Sequence, residues 1–167
     1  MNNRQRLTDL EDTIERLYDR LGYWEKELAI IRPGSDEKFK LQQRIKRELL
    51  PDIRRYEQEY WQLYPMEGVV ISEEEAASQL VQVEQAVTSL EQVSAAEYPP
   101  EMLALLQEIR AKLDILDSSA SAKFKVTIPL IPAIASYELE MDTEGVMYKT
   151  WKSIKGGIRR LNSTFFR

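Results

Sequence analysis

The chain has 167 residues, 31% of them charged and 43% hydrophobic, with a net charge of -5 at pH 7. That composition suits one folded helical core with much solvated surface. It contains no cysteine and no histidine, which excludes disulfides, thiolate metal sites, cysteine nucleophiles and every mechanism built on imidazole. Asp, Glu, Lys, Tyr and Ser remain for chemistry, yet no motif uses them, so neither enzyme activity nor a cofactor nor a metal site is expected. No apolar run approaches the ~18 residues of a spanning helix. Met1-Asn2-Asn3-Arg4 leads directly into a charged amphipathic pattern, with no sign of a secretory leader. A cytoplasmic address is expected, with a peripheral position at a membrane as the alternative.

The first element is a long helix over about residues 4–31. Leu7, Leu10, Ile14, Leu17, Leu21, Trp24, Leu28 and Ile31 recur at alternating steps of three and four, a heptad seam with charged residues on the other faces. Arg32-Pro33-Gly34-Ser35-Asp36 stops it and turns the chain. A second helix is expected over 36–64, with the stripe Leu41, Ile45, Leu49, Ile53, Tyr56, Tyr60 and Leu63. Pro51 removes one backbone hydrogen bond and crowds the preceding turn, so a kink or break is expected near 47–51. The short link makes an antiparallel hairpin of this pair. Trp24 at one end and Tyr56, Tyr60, Trp61 and Tyr64 at the other read as seam packing rather than a ligand box.

Ser72-Glu73-Glu74-Glu75 is a capping box opening a third helix over about 73–95, with Ala76, Leu80, Val83, Val87, Leu90 and Val93 as its seam. A fourth, over about 99–117, carries Leu103, Leu106, Ile109, Leu113 and Leu116. Two hairpins packed together would bury all four stripes as a bundle over 1–117.

After a linker at 118–122 the pattern changes. Phe124, Val126, Ile128 and Leu130 alternate with Lys123, Lys125, Thr127 and Pro129, and Tyr137, Leu139 and Met141 alternate with Ser136, Glu138 and Glu140. This period of two predicts a β-hairpin over 123–142. A turn at Ile131-Pro132 would set Lys125 against Glu138, Lys123 against Glu140 and Thr127 against Ser136 on one face. Ile-Pro is not a favoured two-residue turn, so a cis proline or a wider loop would be needed. The apolar face would have to lie on the helices, on another hairpin or in an oligomer. A final amphipathic helix is expected over 143–164, with Met147, Trp151, Ile154, Ile158, Leu161 and Phe165 as its seam. The fold class expected is therefore mostly α: an antiparallel helical bundle of two long hairpins, a C-terminal β-hairpin and a last basic helix.

Charge is unevenly spread. Residues 1–144 carry 17 basic and 28 acidic groups, whereas six basic residues and no acid follow. The basic tail can pack on the acidic body or meet an anionic surface through Lys149, Lys152, Lys155, Arg159 and Arg160. With Trp151, Phe165 and Phe166 it could also track a nucleic-acid strand, but the acidic body argues against nucleic acid as a partner. Glu73-Glu74-Glu75 reads as favourable charge at a helix N-terminus, and Asp9, Glu11, Asp12 and Glu15 as a solvated face. No EF-hand loop is present. Lys155-Gly156-Gly157 lacks the spacing of a phosphate loop.

Two stretches carry a family likeness: Glu37-Lys38-Phe39-Lys40-Leu41-Gln42-Gln43-Arg44-Ile45 running on to Tyr56-Glu57-Gln58-Glu59-Tyr60-Trp61, and Lys123 to Pro132 followed by Tyr137 to Glu144. They resemble helical effector-associated modules of cyanobacterial multidomain signalling and conflict proteins, where such modules adjoin caspase-like, TIR or STAND-type NTPase domains. The resemblance implies an adaptor that brings effectors and sensors together by like-with-like contact. It assigns no site residues. No effector domain is attached, so the chain is either a fragment or an adaptor that recruits one in trans.

The function expected is a non-catalytic protein-protein interaction or oligomerisation adaptor, whose partner is a second copy or an effector or sensor protein. Val126, Ile128, Leu130 and Tyr137 of the hairpin and Trp151 and Ile158 of the last helix are the residues expected to associate. The alternative is a membrane-associating or membrane-perturbing effector. It would act through the apolar, proline-bent segment Ile128–Ala135 and the cationic aromatic helix beside it.

Overall fold

The computed structural model describes residues 2–141 and 145–165, with the side chains of Glu67 and of 159–165 left aside. It divides into two compact units, 1–64 and 65–167. Among the described residues every regular element is helical, and there is no strand.

The first unit is a helical hairpin. Helix α1 spans Asn3–Ile30 and is opened by Asn2, whose side chain accepts from the Gln5 amide. The turn follows directly from Pro33 and Gly34. Gly34 has φ 78 and the Ser35 amide donates to the Arg32 carbonyl at 3.2 Å, the arrangement of a type II turn with glycine where positive φ is required. Ser35 then caps α2, Asp36–Arg44. A π turn at Ile45–Leu49 leads on into α3, Leu50–Leu63.

That π turn is the kink expected near Pro51. The Leu50 amide donates to the Ile45 carbonyl, five residues back, and the widened turn makes room for the proline ring. It also corrects the stripe. Three steps of four from Leu41 to Ile53 run ~120° off a straight α-helical line, and one π turn absorbs most of that drift. Beyond it the buried positions are Ile53, Glu57, Tyr60, Trp61 and Tyr64, one residue out of step with the expected Tyr56 and Leu63. On α1 the buried seam is Leu10, Ile14, Leu17 and Leu21. The antiparallel register is fixed at both ends: Arg6 makes a two-pronged bond to Glu59 at 2.7 and 2.9 Å, and the Arg44 guanidinium lies 4.8 Å over Trp24.

The second unit holds α4 (Glu73–Glu91), α5 (Pro100–Leu113), α6 (Ala120–Thr127), α7 (Ile131–Glu140) and α8 (Val146–Phe165). The Ser72 half of the capping box is formed, its hydroxyl accepting from the Glu75 amide at 3.1 Å. Arg110 of α5 ties that helix to α4 through Glu91 at 2.6 Å, Glu84 at 3.3 Å and Thr88 at 3.2 Å. Tyr98 donates its phenol to the Leu90 carbonyl at 2.7 Å near the end of α4. Helix α4 packs on α5, α6 and α8, and α7 packs on α5 and α8.

The expected β-hairpin over 123–142 is not present; the segment is α6, a short 3-10 turn at Ile128–Leu130 and α7. Its period of two concealed a helical one. Phe124, Ile128, Ile131, Ile134 and Glu138 are buried at steps of four, three, three and four. The expected turn residues, Ile131 and Pro132, are interior. Thr127 and Ser136, expected on the wet face, are buried and donate to the carbonyls of Phe124 and Ala133 within their own helix, whereas Val126 faces out. Pro132 has no N–H to give the Ile128 carbonyl, and the Ile131 amide takes that acceptor instead. The 3-10 turn is thus what lets helix run through two prolines. Lys123, expected opposite Glu140, donates to the Leu113 carbonyl at the end of α5 at 3.3 Å.

Candidate functional site: a cleft among α4, α6 and α8

Helices α4 and α8 each bring an i, i+3, i+4 set of residues to one space: Glu75, Ser78 and Gln79 from α4, and Ile154, Gly157 and Ile158 from α8. Phe124 of α6 and Ile71, just ahead of α4, complete a cleft of about 270 Å3. The space exists because the middle member of each set is small. A Cβ built on Gly157 would meet nothing within 4 Å among the described residues. Phe124, Ile154 and Ile158 are buried and form an apolar floor, while Glu75 and Ser78 stand exposed at the rim. Between them the Gln79 Oε1 is shielded from solvent and has no hydrogen-bond partner among the described residues. A buried acceptor left so is uncommon and costly.

Two carboxylates organise helix starts in this unit. Glu73, in the first turn of α4, accepts from the Ala120 amide at 2.9 Å, the Ser121 amide at 3.2 Å and the Ser121 hydroxyl at 2.6 Å, so it caps α6 from another helix. Its carboxyl is held below the usual carboxylate range, chiefly by the Ser121 hydroxyl. Glu138, near the end of α7, is 1% exposed and accepts from the Tyr148 amide at 3.1 Å, with the Met147 and Val146 amides also bonded to it. It caps α8. Burial nonetheless pushes its carboxyl up, because the loss of solvation outweighs those donors and the charge of Lys149. A second buried acid, Glu57 in the first unit, accepts from the Trp61 indole at 2.7 Å beside Tyr60 and Tyr64.

Of the residues expected to associate, Ile128 and Trp151 are fully buried, and Leu130 and Ile158 nearly so; all four pack the second unit's own interior. Tyr137 is half-buried, and Val126 is 43% exposed. Ile158 alone of the six lines the cleft. Among the expected anionic-surface contacts, Lys149 and Lys152 are exposed and Lys155 is half-buried, with the Lys152 ammonium 4.4 Å over the Tyr148 ring. The side chains of Arg159 and Arg160, like Leu161 and Phe165, lie outside the described residues.

The sequence reading did not single out Gln79, Ser78 or Glu57, and it set Glu138 against Lys125 on a wet strand face, whereas Glu138 is buried. Glu57 and Glu138 could have been found, since each continues a buried helical stripe by one step, from Ile53 and from Ile134. Gln79 could not, because the space beside it depends on which helices meet. Comparisons with protein-family models, curated proteins and solved structures returned no match to this chain.

Proposed function

We propose that the chain is a non-catalytic helical module that works by association with protein, first of all with a second copy of itself, through the turn end of its first hairpin. The observation that carries this is apolar exposure gathered at that end: Tyr23 at 60%, Ile30 at 84% and Phe39 at 60%. Tyr23 and Ile30 are seven residues apart and share a face of α1, about half a turn from the buried Leu21. Single exposed apolar residues need no explanation, but several at one end of a hairpin suit an interface. Residues 1–64 carry 13 acids and 13 basic residues, so two such hairpins meet without net repulsion. This reading takes up the adaptor role that the family resemblance implies and gives it a surface.

The membrane alternative loses its motive, since Ile128 and residues 130–135 are interior and Trp151 and Ile154 are spent on packing. Among the described residues no helix is long and apolar enough to cross a membrane. Light scattering over a range of concentrations tests the proposal. The wild type is expected to rise above its 19.5 kDa monomer mass. The pair Ile30→Asp with Phe39→Asp is expected to stay there with unchanged helical circular dichroism. A wild type that remains monomeric throughout sinks the reading.

A further inference from the structure

We infer that the cleft among α4, α6 and α8 is a binding site for a small amphipathic amine, a primary ammonium on an apolar or aromatic body. It is independent of the hairpin surface proposed above, being built wholly from the second unit. Three observations converge. The floor is apolar, from Phe124, Ile154 and Ile158, and has no side chain of α8 at position 157 to fill it. The volume of about 270 Å3 exceeds the ~150 Å3 that suffices for benzene and approaches the lower end of the roughly 300–1,000 Å3 usual for ligand sites.

The polar wall is the discriminating part. Among the described residues Glu75, Ser78 and Gln79 are the polar ones that line it, and each presents an oxygen that can accept. The buried Gln79 Oε1 is without a donor among the described residues. A ligand that brought an N–H to that atom would satisfy it, and a positive ligand would meet the Glu75 carboxylate at the rim. An anion would face that carboxylate with no cation among the described lining residues to offset it. The chemistry therefore selects a donor-bearing cation over a neutral or acidic analogue of the same shape.

The test uses the full chain with isotope-labelled isoleucine methyl groups, because Ile71, Ile154 and Ile158 line the cleft and report on it directly. The probe is 2-phenylethylamine, with 2-phenylacetate as the isosteric acid. Saturable shifts of those three methyls with the amine, at least tenfold weaker with the acid, are expected. Gly157→Leu fills the space without a backbone cost, as its site is helical and open, and should abolish the shifts. Gln79→Leu keeps the floor, removes the acceptor and should weaken the amine about tenfold while leaving thermal melting unchanged or improved. Unmoved methyls up to the solubility limit, equal binding of amine and acid, or binding that survives both substitutions would overturn the proposal. Should Gly157→Leu fail to fold, Gln79→Leu and the amine-to-acid ratio still decide it.

Discussion

The two units reach helical structure by different routes. In the first, α1 and α2 open on their own neighbouring side chains, Asn2 and Ser35, and the apolar seam of α1 recurs regularly along the chain. In the second, a carboxylate from a different helix joins the start of two helices: Glu73 at α6, beside that helix's own Ser119 cap, and Glu138 at α8. Helix α6 is eight residues long, too short to stand alone in water, and its start is shared between Ser119 and a carboxylate 47 residues away. The comparison teaches that a helix can be written locally or supplied by its neighbours. The second kind is held by few, identifiable atoms.

The largest effect should come from the second unit's centre. Trp151 is fully buried, and Trp151→Ala is expected to cost about 3–5 kcal/mol by chemical denaturation. The same change at Trp24, half-buried at the edge of the hairpin, should cost clearly less; equal losses would break the distinction. Ile128→Asp should fail to give a stable fold, since it puts a charge at a fully buried position.

The two capping carboxylates should respond to pH in opposite senses. Glu138 is raised above its ordinary value of 4.5, so its ionisation opposes folding. That cost is absent in acid and grows as pH climbs from there through the folded value. Melting of Glu138→Gln, measured against wild type, should therefore shift in the variant's favour as pH rises. Glu73 is lowered from 4.5, so its stabilisation is present above that value and is lost as pH falls through the folded one. Glu73→Gln should melt below wild type at neutral pH, and the gap should close in strong acid. Parallel pH trends for the two variants would contradict the assignment.

The smallest effect is expected in the first unit. Arg6 and Glu59 form the hairpin's far-end pair, with about two fifths of each side chain open to solvent, where screening keeps the contribution of such pairs small. A double-mutant cycle on Arg6→Ala and Glu59→Ala should show weak coupling that fades with salt.

How much was legible follows the same division. The first hairpin could be read because Leu10, Ile14, Leu17 and Leu21 repeat within one element and Pro33-Gly34 dictates the turn. Pro51 marked the distortion, though not its form; the π turn arises from the proline together with a stripe at steps of four. The last third was misread because Lys123–Leu130 satisfies two periods at once. Thr127 and Ser136 broke the tie toward helix by bonding inside their own turns, an option that a face-by-face reading of polar residues overlooks. The cleft was illegible for a further reason: Gln79 and Gly157 are ordinary on their own helices, and only the packing of α4 on α8 sets them around one space.

The central claim, association through the turn end of the first hairpin, is tested most directly by distance. The chain has no cysteine, so Arg32→Cys, at an exposed position in that turn, carries a single nitroxide label. Pulsed electron-electron resonance on the labelled full chain should then show a peaked intermolecular distance that vanishes when Ile30→Asp and Phe39→Asp are added. A featureless background at concentrations where light scattering reports association would contradict the account, because the copies would be meeting elsewhere.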